Sequence, residues 1–441
     1  PLSLRELIEN FSVRQILLAI PSATHAERKQ ILNNLEKLPV HVRTVPDLFD
    51  LVSGKVRVDE IRDIDIEDLL GRDIVPPDPQ LMVACIESGN VLITGAGGSI
   101  GSELCRQIIK LRPSHMILLD NSEYGLYTIE NELREMLSLL EEGKEIKITA
   151  LLGSVCHQAL VEHVLRKFSV RTVYHAAAYK HVPMMELCPT EAVRNNVIGT
   201  KLIADLAAEY NVERFVMVST DKAVNPTNVM GASKRLAEIY VQGLSKHISH
   251  TKYITTRFGN VLGSNGSVIN RFKQQIEKGG PITVTHPNIT RYFMTIPEAC
   301  QLVLEAGSMG NGGEIFVFDM GQPVAIADLA KKMIRLYGLI PNIDIDIVYS
   351  GLRPGEKLYE ELLNDGENTG NTYHDKIMIA KVRDVAFEEI KDHFNALVAL
   401  INQAESEMYL VAKMKEIVPE FVSNNSVFEK LDMGGKVVGM D

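Results

Sequence analysis

The segment 219–222 carries the side chains with the most evident chemistry. Thr220, Asp221 and Lys222 place a hydroxyl, a carboxyl and an amine next to one another, directly after an apolar run at 215–219. A carboxyl and an amine held side by side can serve as a general acid and a general base. An ordinary exposed turn has the same composition, so the segment alone leaves both interpretations open.

A glycine-rich segment at 91–101 has the composition of a nucleotide-binding loop. Gly95, Gly98 and Gly101 give the spacing GxxGxxG between a predicted strand and a predicted helix. Glycines let the backbone approach a pyrophosphate, and the following helix presents free N–H groups and a positive dipole end. The residues predicted to contact the phosphates are Gly95, Gly98, Ser99, Ile100 and Gly101. A simple strand-to-helix connection is the alternative interpretation.

Asp120 ends the next predicted strand, nineteen residues after Gly101. A carboxylate here can accept hydrogen bonds from both ribose hydroxyls and would repel a 2′-phosphate, which favours NAD over NADP. Asn121 and Ser122, which follow it, supply no positive charge for such a phosphate. The alternative is that Asp120 only caps the turn that comes after it.

Alternating strands and helices are predicted around these segments. Short runs rich in valine and isoleucine indicate strands at 91–94, 116–120, 146–151, 172–175, 215–219 and 253–258. Helical periodicity lies between them, for example at 103–111, 195–210 and 233–244, and it recurs at 326–337 and 386–411. This alternation predicts an α/β fold with a doubly wound parallel (Rossmann) sheet. Such sheets bind ligands at the carboxyl ends of their strands, which is where the candidate segments fall.

The composition of the 441 residues excludes several classes of protein. With 45% apolar and 23% charged residues, the chain resembles an ordinary globular protein of two or three domains. The net charge of −11 argues against a general nucleic-acid-binding protein. The five cysteines are scattered, and His175 and His181 have no third ligand at suitable spacing, so we expect no metal site. Nor does any run of eighteen apolar residues predict a membrane span.

Taken together, these segments resemble the extended short-chain dehydrogenase/reductase superfamily. More narrowly, the sequence is similar to the bacterial UDP-N-acetylglucosamine 4,6-dehydratases of the membrane-anchored polysaccharide-biosynthesis type. The matching stretches lie at 94–101, 175–183, 196–200, 219–222, 230–234, 257–263 and 353–357. The segments 45–48 and 62–70 also resemble the cytosolic part that follows the membrane helices in that family. The resemblance implies the soluble, cytoplasmic-side part of an inner-membrane protein whose membrane segment is absent from this sequence.

The resemblance also implies a reaction with bound NAD. Hydride passes from C4 of UDP-N-acetylglucosamine, or a related UDP-sugar, to NAD; water is eliminated across C5 and C6; and hydride returns to C6. Most of the superfamily uses Tyr-x-x-x-Lys, whereas this sequence has Met230 before Lys234. The dehydratases share this methionine and use the Asp–Lys pair, so Lys222 is predicted as base and Asp221 as acid. Both would have to be uncharged near neutral pH, a state that burial favours.

The resemblance assigns a role to each candidate residue. The predicted catalytic residues are Thr220, Asp221, Lys222, Met230 and Lys234. The predicted cofactor-binding residues are Gly95, Gly98, Ser99, Ile100, Gly101, Asp120, Asn121, Ser122, Ala176, Ala177 and Lys234. The predicted substrate-binding residues are Lys180, Asn260, Arg291, Arg353 and Glu356. A homo-oligomer is expected, with the amphipathic helix at 233–244 as a candidate pairing surface.

The sequence is predicted to have five parts: a small α/β subdomain (1–75), a linker (76–89), an NAD-binding Rossmann domain (90–280), a nucleotide-sugar-binding region shared with it (281–380) and a helical tail (381–441). In the first part, strands at 14–20 and 40–45 flank a helix at 26–38. An acidic segment at 57–70 precedes the linker, which the prolines at 76, 77 and 79 mark.

Two other functional interpretations stay open. A nucleotide-sugar 4-epimerase or ketoreductase would use the same fold, but the missing tyrosine at position 230 argues against it. A non-catalytic NAD-binding regulatory module would account for Met230, but not for Asp221, Lys222, Lys234 and Arg353. The product separates the three, since a dehydratase gives a 4-keto sugar, an epimerase an inverted sugar and a regulatory module no new sugar.

Overall fold

The computed structural model describes residues 3–20, 22–38, 40–45, 62–63, 79–139, 146–264, 266–363, 368–381, 386–403 and 406–432. The chain divides into two units. The first comprises Pro1–Val75, Asn260–Thr295 and Gln322–Gly351. The second comprises Pro76–Gly259, Ile296–Gly321 and Leu352–Asp441. The region predicted at 281–380 is therefore divided between the two units.

The strands of the described residues are β1 (Gln15–Leu18), β2 (His41–Thr44), β3 (Arg62–Asp63), β4 (Asn90–Thr94), β5 (His115–Asp120), β6 (Lys147–Leu152), β7 (Thr172–His175), β8 (Arg214–Val218), β9 (Lys252–Arg257), β10 (Asn260–Val261), β11 (Ile282–Val284), β12 (Thr290–Arg291), β13 (Phe293–Met294), β14 (Ile315–Phe318), β15 (Val324–Ala325), β16 (Ile347–Tyr349), β17 (Asn368–Asn371) and β18 (Ile377–Lys381). The α-helices are α1 (Leu4–Phe11), α2 (His25–Leu35), α3 (Pro79–Ile86), α4 (Ser99–Lys110), α5 (Glu123–Leu139), α6 (Gln158–Phe168), α7 (Val182–Leu187), α8 (Pro189–Ala192), α9 (Thr200–Glu209), α10 (Val229–His247), α11 (Val268–Glu277), α12 (Ile296–Met309), α13 (Ile326–Leu336), α14 (Phe387–Asn402) and α15 (Glu407–Ile417). A π-helix (Val193–Gly199) and the 3₁₀ turns Asp221–Ala223 and Val427–Leu431 complete them.

In the second unit, nine of the described strands form one sheet in the order β17-β18-β14-β9-β8-β7-β4-β5-β6. The strands from β14 to β6 in this order run parallel, and β18 and β17 join antiparallel at one edge. The strands β4 and β7 are almost wholly buried, which accounts for their apolar sequences. The order confirms the predicted Rossmann sheet, and its direction of winding reverses between β4 and β7.

Helices cover both faces of this sheet. On one face, Tyr174 of β7 and Val216 of β8 lie against Gly307 of α12, which also packs on α3 and α4. On the other face, Val173 and Phe215 share one apolar core with α6, α9 and α10. Successive strand residues therefore point into two different cores, as the twofold periodicity of a β-strand requires.

The C-terminal segment packs on α10. A single helical stretch was predicted at 386–411, but Ser406 caps a separate helix, so the structure has α14 and α15. Tyr240 of α10 packs on Phe394 at 4.7 Å between ring centroids, and α15 also contacts α10. The face of α10 that was expected to pair in an oligomer is thus covered by helices of the same chain. A homo-oligomer remains a prediction.

The first unit contains the predicted strands and helix of the N-terminal part. The strands β1 and β2 are parallel and β3 joins antiparallel, while Lys332 of α13 donates to Asn33 of α2 at 2.5 Å. The short α1 was not predicted; Ser3 and Glu6 start it with a capping box. Of the predicted segments 45–48 and 57–70, the structure describes only Val45 and β3. The remaining residues of both segments, and the prolines at 76 and 77, lie outside the described residues.

The predicted linker, 76–89, contains the helix α3. Met82, Cys85 and Ile86 are buried, and α3 packs against α12, so apolar packing outweighs the turn-forming tendency of the prolines before it. None of the helices in the described ranges is both long and apolar enough to cross a membrane.

Candidate active site

The glycine loop connects β4 to α4 and passes very close to the loop after β7. A Cβ at Gly95 would lie 2.7 Å from the backbone nitrogen of Ala177, and one at Gly101 would lie 1.9 Å from the carbonyl oxygen of Gly95. Gly95 also has a φ of +68°, which other residues rarely adopt. Gly98 begins α4 without a capping side chain, so the N–H groups of the first helical turn suit an anion. Ser99 and Ile100 belong to this turn.

Asp120 lies at the end of β5 and is 8% exposed. One carboxylate oxygen accepts the backbone N–H of Gly97 at 2.8 Å, and the other accepts that of Ser122 at 2.7 Å. The residue therefore caps its own turn and also holds the glycine loop. Because each carboxylate oxygen can accept two hydrogen bonds, it keeps acceptor capacity for ribose hydroxyls. Asn121 and Ser122 are both exposed.

His175, at the end of β7, is fully buried in a chain of hydrogen bonds. Its Nε2 lies 2.9 Å from Thr200 Oγ1, which donates to the carbonyl oxygen of Asn196, so Nε2 carries the proton. Its Nδ1, 2.8 Å from Thr94 Oγ1, therefore accepts the Thr94 hydroxyl, which in turn accepts the Ala177 N–H at 3.4 Å. Burial, and then the charge of nearby Lys234, lowers the pKa of His175 to about 3. This neutral histidine links the ends of β4 and β7.

Asn196 of the π-helix holds the loop after β7. Its side chain accepts the N–H of Tyr179 at 2.8 Å, donates to the carbonyl oxygen of Tyr179 at 3.0 Å, and donates to Ser233 Oγ at 3.0 Å. The loop carries Ala176 and Lys180 among the predicted binding residues. Lys180 reaches the surface; partial burial, and then the Lys222 ammonium, lower its pKa. Lys180 therefore lies near the reactive segment.

The reactive segment follows β8, as predicted, and Asp221 begins a 3₁₀ turn. The Asp221 side chain is fully buried, and its Oδ1 accepts both Thr220 Oγ1 at 2.9 Å and Lys222 Nζ at 3.1 Å. Among the described residues, its Oδ2 is buried without a hydrogen-bond partner. The three predicted reactive groups thus form one hydrogen-bonded set in which a proton can pass between the amine and the carboxyl.

The helix α10 begins beside this set. Asn228 caps it by accepting the Gly231 N–H at 2.7 Å, and a Cβ at Gly231 would lie 2.1 Å from the carbonyl oxygen of Lys222. Met230 is buried in the apolar core, and its carbonyl oxygen accepts Ser233 Oγ at 2.7 Å. A methionine at this position supplies no proton, which agrees with the use of other acid–base groups.

Lys234 lies one turn after Met230 and is 4% exposed. Burial lowers its pKa to about 8, although the Glu238 carboxylate acts in the opposite direction. Its ammonium makes no hydrogen bond or ion pair within the described part of the chain. A buried ammonium without a partner is costly, so this position suits an acceptor group of a bound cofactor.

A buried charge network supports the reactive segment from behind. Glu238 of α10 accepts the guanidinium of Arg257 at 2.6 Å, that of Arg235 at 3.2 Å, and the Ser219 hydroxyl at 2.7 Å. Burial alone would raise the pKa of Glu238, but Arg257 and Arg235 bring it below its usual value. Arg235 also binds Glu420 at 3.0 Å. The network ties β9, α10 and the C-terminal segment to Ser219.

The turn 353–356 contains two predicted substrate-binding residues, which bind each other. Arg353 donates to Glu356 at 3.2 Å, with side-chain exposures of 51% and 10%. The C-terminal segment holds this turn: Asn424 accepts the Gly355 N–H at 2.7 Å and donates through its side chain to the Glu356 carbonyl at 3.0 Å. Asn228, the cap of α10, also donates to the Gly355 carbonyl. The turn is therefore fastened beside the start of α10.

Two buried residues next to the reactive segment were missed. Glu360 Oε1 lies 3.7 Å from Lys222 Nζ, and Lys357 donates to the Val224 carbonyl at 2.9 Å. Lys357 ends the 353–357 motif and Glu360 follows three residues later, but no spacing in the sequence links them to position 222. Asn260 and Arg291, predicted to bind substrate, belong to the first unit. There Asn260 pairs with β13, and Arg291 is buried and donates to the Thr290 carbonyl.

The second unit can thus bind a dinucleotide and move protons at one end of its sheet. Close backbone approach at Gly95 and Gly101, the uncapped start of α4 and the buried Lys234 fit NAD or a similar cofactor. The loop after β8 adds an acid, an amine and a hydroxyl within hydrogen-bonding distance of one another.

Comparisons with known proteins agree with this geometry. Residues 91–382 match the family described as polysaccharide biosynthesis protein. The capsular polysaccharide biosynthesis protein CapD of Staphylococcus aureus is 48% identical over 377 residues, which cover 86% of this chain and 62% of CapD. The chain therefore spans less than two thirds of that relative. A UDP-glucose 4-epimerase of Rickettsia canadensis is 31% identical, and the match covers 77% of this chain and 97% of the relative.

Solved structures show the same fold. The X-ray structure of Pen from Bacillus thuringiensis has a TM-score of 0.60 and 31% identity, and covers 70% of this chain and 97% of Pen. DesIV of Streptomyces venezuelae, a dTDP-glucose 4,6-dehydratase solved with NAD, has a TM-score of 0.51 and 21% identity. This match covers 62% of the chain and 87% of DesIV, and it supports the fold alone.

Proposed function

This chain belongs to the polysaccharide biosynthesis protein family, and we propose that it is a UDP-N-acetylglucosamine 4,6-dehydratase with bound NAD. The observation that carries the proposal is the buried Asp221–Lys222 pair beside Thr220, next to a helix that has Met230 where related oxidoreductases have tyrosine. Such an arrangement provides an acid and a base for elimination but lacks a tyrosine for simple carbonyl reduction. The product would be a UDP-4-keto-6-deoxy-N-acetylhexosamine for glycan biosynthesis.

The cofactor would be held by the glycine loop, the end of β5 and α10. The first turn of α4 would bind the pyrophosphate, and Asp120 would accept the adenosine ribose hydroxyls, which favours NAD over NADP. Ala176 and Ala177 would line the loop after β7, and Lys234 would bind the nicotinamide ribose. When bound, NAD supplies the hydride acceptor for C4 and the hydride donor for C6.

The reactive residues then divide the proton transfers. Thr220 would hold the oxygen at C4, Lys222 would remove the proton at C5, and Asp221 would protonate the oxygen that leaves C6. Lys222 and Asp221 reach the required forms when one proton moves along their existing 3.1 Å hydrogen bond. That transfer exchanges one N–H bond for one O–H bond and leaves both groups uncharged.

The UDP-sugar would be bound by cations at the edge of this site. Arg353 would release Glu356 and bind the diphosphate, Glu356 would accept from a ribose hydroxyl, and Lys180 would face the sugar or the nucleotide. Asn260 and Arg291 stay predicted substrate ligands. Self-association and attachment to the inner membrane through an upstream segment also stay predictions.

The experiment is incubation of the chain with NAD and UDP-N-acetylglucosamine in deuterated water, followed by NMR of the sugar. We expect a C6 methyl signal, a C4 keto signal and deuterium at C5. Asp221→Asn and Lys222→Met should abolish the product, whereas Lys331→Met, which removes an exposed ammonium paired with Asp328 in the first unit, should not. A sugar inverted at C4 without loss of water would refute the dehydratase in favour of an epimerase. An unchanged sugar across a panel of UDP- and dTDP-sugars, with NAD bound, would favour a regulatory module.

A further inference from the structure

Glu360 lies beside the proposed base although it is far from it in the sequence. Its Oε1 is 3.7 Å from Lys222 Nζ, and the side chains of Glu360 and Lys222 are 3% and 17% exposed. Carboxylates are seldom buried to this extent without a charged partner. The burial and the short distance indicate that Glu360 interacts with Lys222 and not with solvent.

Neighbouring contacts hold Glu360 in this position. Lys357 donates to the carbonyl oxygen of Val224 at 2.9 Å, and Glu361 accepts the side chain of Asn225 at 3.2 Å. These two contacts fasten the segment 357–361 along Val224 and Asn225. The approach of Glu360 to Lys222 is part of this docking, so it does not depend on one mobile side chain.

The Lys222 amine thus lies within 4 Å of two carboxylates. Asp221 Oδ1 is 3.1 Å from Lys222 Nζ, and Glu360 Oε1 is 3.7 Å from it. If one proton passes from Lys222 to Asp221, both become neutral and Glu360 keeps its negative charge. When Lys222 later takes a proton from the sugar, a new ammonium forms next to that remaining charge. A fixed charge near a developing charge of opposite sign lowers the barrier to the step.

We propose that Glu360 is a positioning residue that aims Lys222 at its substrate and stabilises the ammonium formed during proton removal. This role rests on the proposed function. In the step concerned, the C5–H bond breaks, an N–H bond forms on Lys222, and the electron pair stays on the 4-keto sugar as an enolate. Glu360 remains ionised throughout and exchanges no proton. Glu360 would thus act like the carboxylate of a catalytic triad, which orients the base and stabilises the cation that forms on it.

The test compares Glu360→Gln with Glu388→Gln in the NAD-bound protein. Glutamine keeps the shape of Glu360 but removes its charge, whereas Glu388 of α14 is 77% exposed and pairs with Lys391 on the surface. For Glu360→Gln we expect a 10- to 100-fold lower kcat, of about the size seen when a supporting charge is removed, with little change in KM. We also expect the acidic limb of the pH–rate profile to move to lower pH by roughly one unit, because the ammonium loses a stabilising charge. Glu360→Asp should recover part of both effects, and Glu388→Gln should match the unmodified protein.

A second readout needs no sugar turnover. In protein labelled at the lysine side chains with ¹³C, the Lys222 signal, assigned by its absence in Lys222→Arg, should titrate at lower pH in Glu360→Gln only. An unmoved titration and pH profile, or equal shifts in Glu388→Gln, would overturn the role of Glu360 while leaving the dehydratase intact. If no sugar is converted but the Lys222 titration moves, the contact stands and the proposed dehydration fails.

Discussion

The neutral, buried His175 should make the nucleotide-binding unit sensitive to mild acid. In the native state it is enclosed by Thr94, Thr200 and the carbonyl chain to Asn196, and its pKa is lowered to about 3. In the unfolded chain a histidine titrates near 6.5. Below that pH the unfolded state binds a proton at this histidine and the native state does not, so stability falls as pH falls from about 6.5 towards 3.

The size of the effect follows from the two pKa values. Each pH unit within this window removes about 1.4 kcal/mol of unfolding free energy. Of the two pH units between pH 7 and pH 5, only about one and a half lie below the pKa of histidine in the unfolded chain. His175 alone should therefore lower the unfolding free energy by about 2 kcal/mol over this range. The full effect, reached near pH 3, would be about 5 kcal/mol. Glu238 adds to acid sensitivity only at lower pH, because its pKa is below the usual carboxylate value.

The measurement is urea unfolding followed by far-ultraviolet circular dichroism at pH 7, 6 and 5. His175→Gln retains a donor towards Thr200 but has no group that titrates, so it should be less stable at pH 7 and should lose about 2 kcal/mol less between pH 7 and 5. His163→Gln removes an exposed histidine of α6 and should behave like the unmodified protein. Equal pH dependence in His175→Gln and the unmodified protein would refute the buried neutral histidine.

Substitutions at Gly231, Glu238 and Asn424 should differ in kind. Gly231→Ala places a Cβ 2.1 Å from the Lys222 carbonyl oxygen. Urea unfolding should therefore show a loss of about 1–3 kcal/mol of unfolding free energy, and turnover should fall sharply. Gly370→Ala, whose Cβ meets open space, should change neither stability nor turnover. Glu238→Ala removes a buried carboxylate that pairs with Arg257 and Arg235 and should cost about 3–5 kcal/mol of unfolding free energy; a loss under 1 kcal/mol would contradict the network. Asn424→Ala should raise KM for the UDP-sugar about 2- to 10-fold with kcat unchanged, because only the 353–356 turn is loosened; a fall in kcat at constant KM would contradict this role.

The parts of the site that follow a strand were predictable because the signals are local. The run 91–94 has apolar residues at successive positions, which predicts a strand buried on both faces, and the glycines from Gly95 onward mark the connection to the next helix. The same reasoning placed Asp120 and the segment 219–222 at strand ends, where the structure has them. Helix boundaries were less predictable, since Ser406 divides the expected helix at 386–411 through a cap that periodicity does not reveal.

The contacts that complete the site were not predictable because they join distant parts of the chain. Glu360 approaches Lys222, and Asn424 holds the turn at 353–356, only after the segments 352–363 and 418–432 have docked on the start of α10. The predicted helical tail is therefore part of the site: its helices cover α10, and its last segment fixes the turn that would bind the diphosphate. A short motif in the sequence indicates where a strand ends. Which distant carboxylate or amide contacts that strand end depends on how the later segments dock. In this chain, that docking also determines the charge around the proposed base.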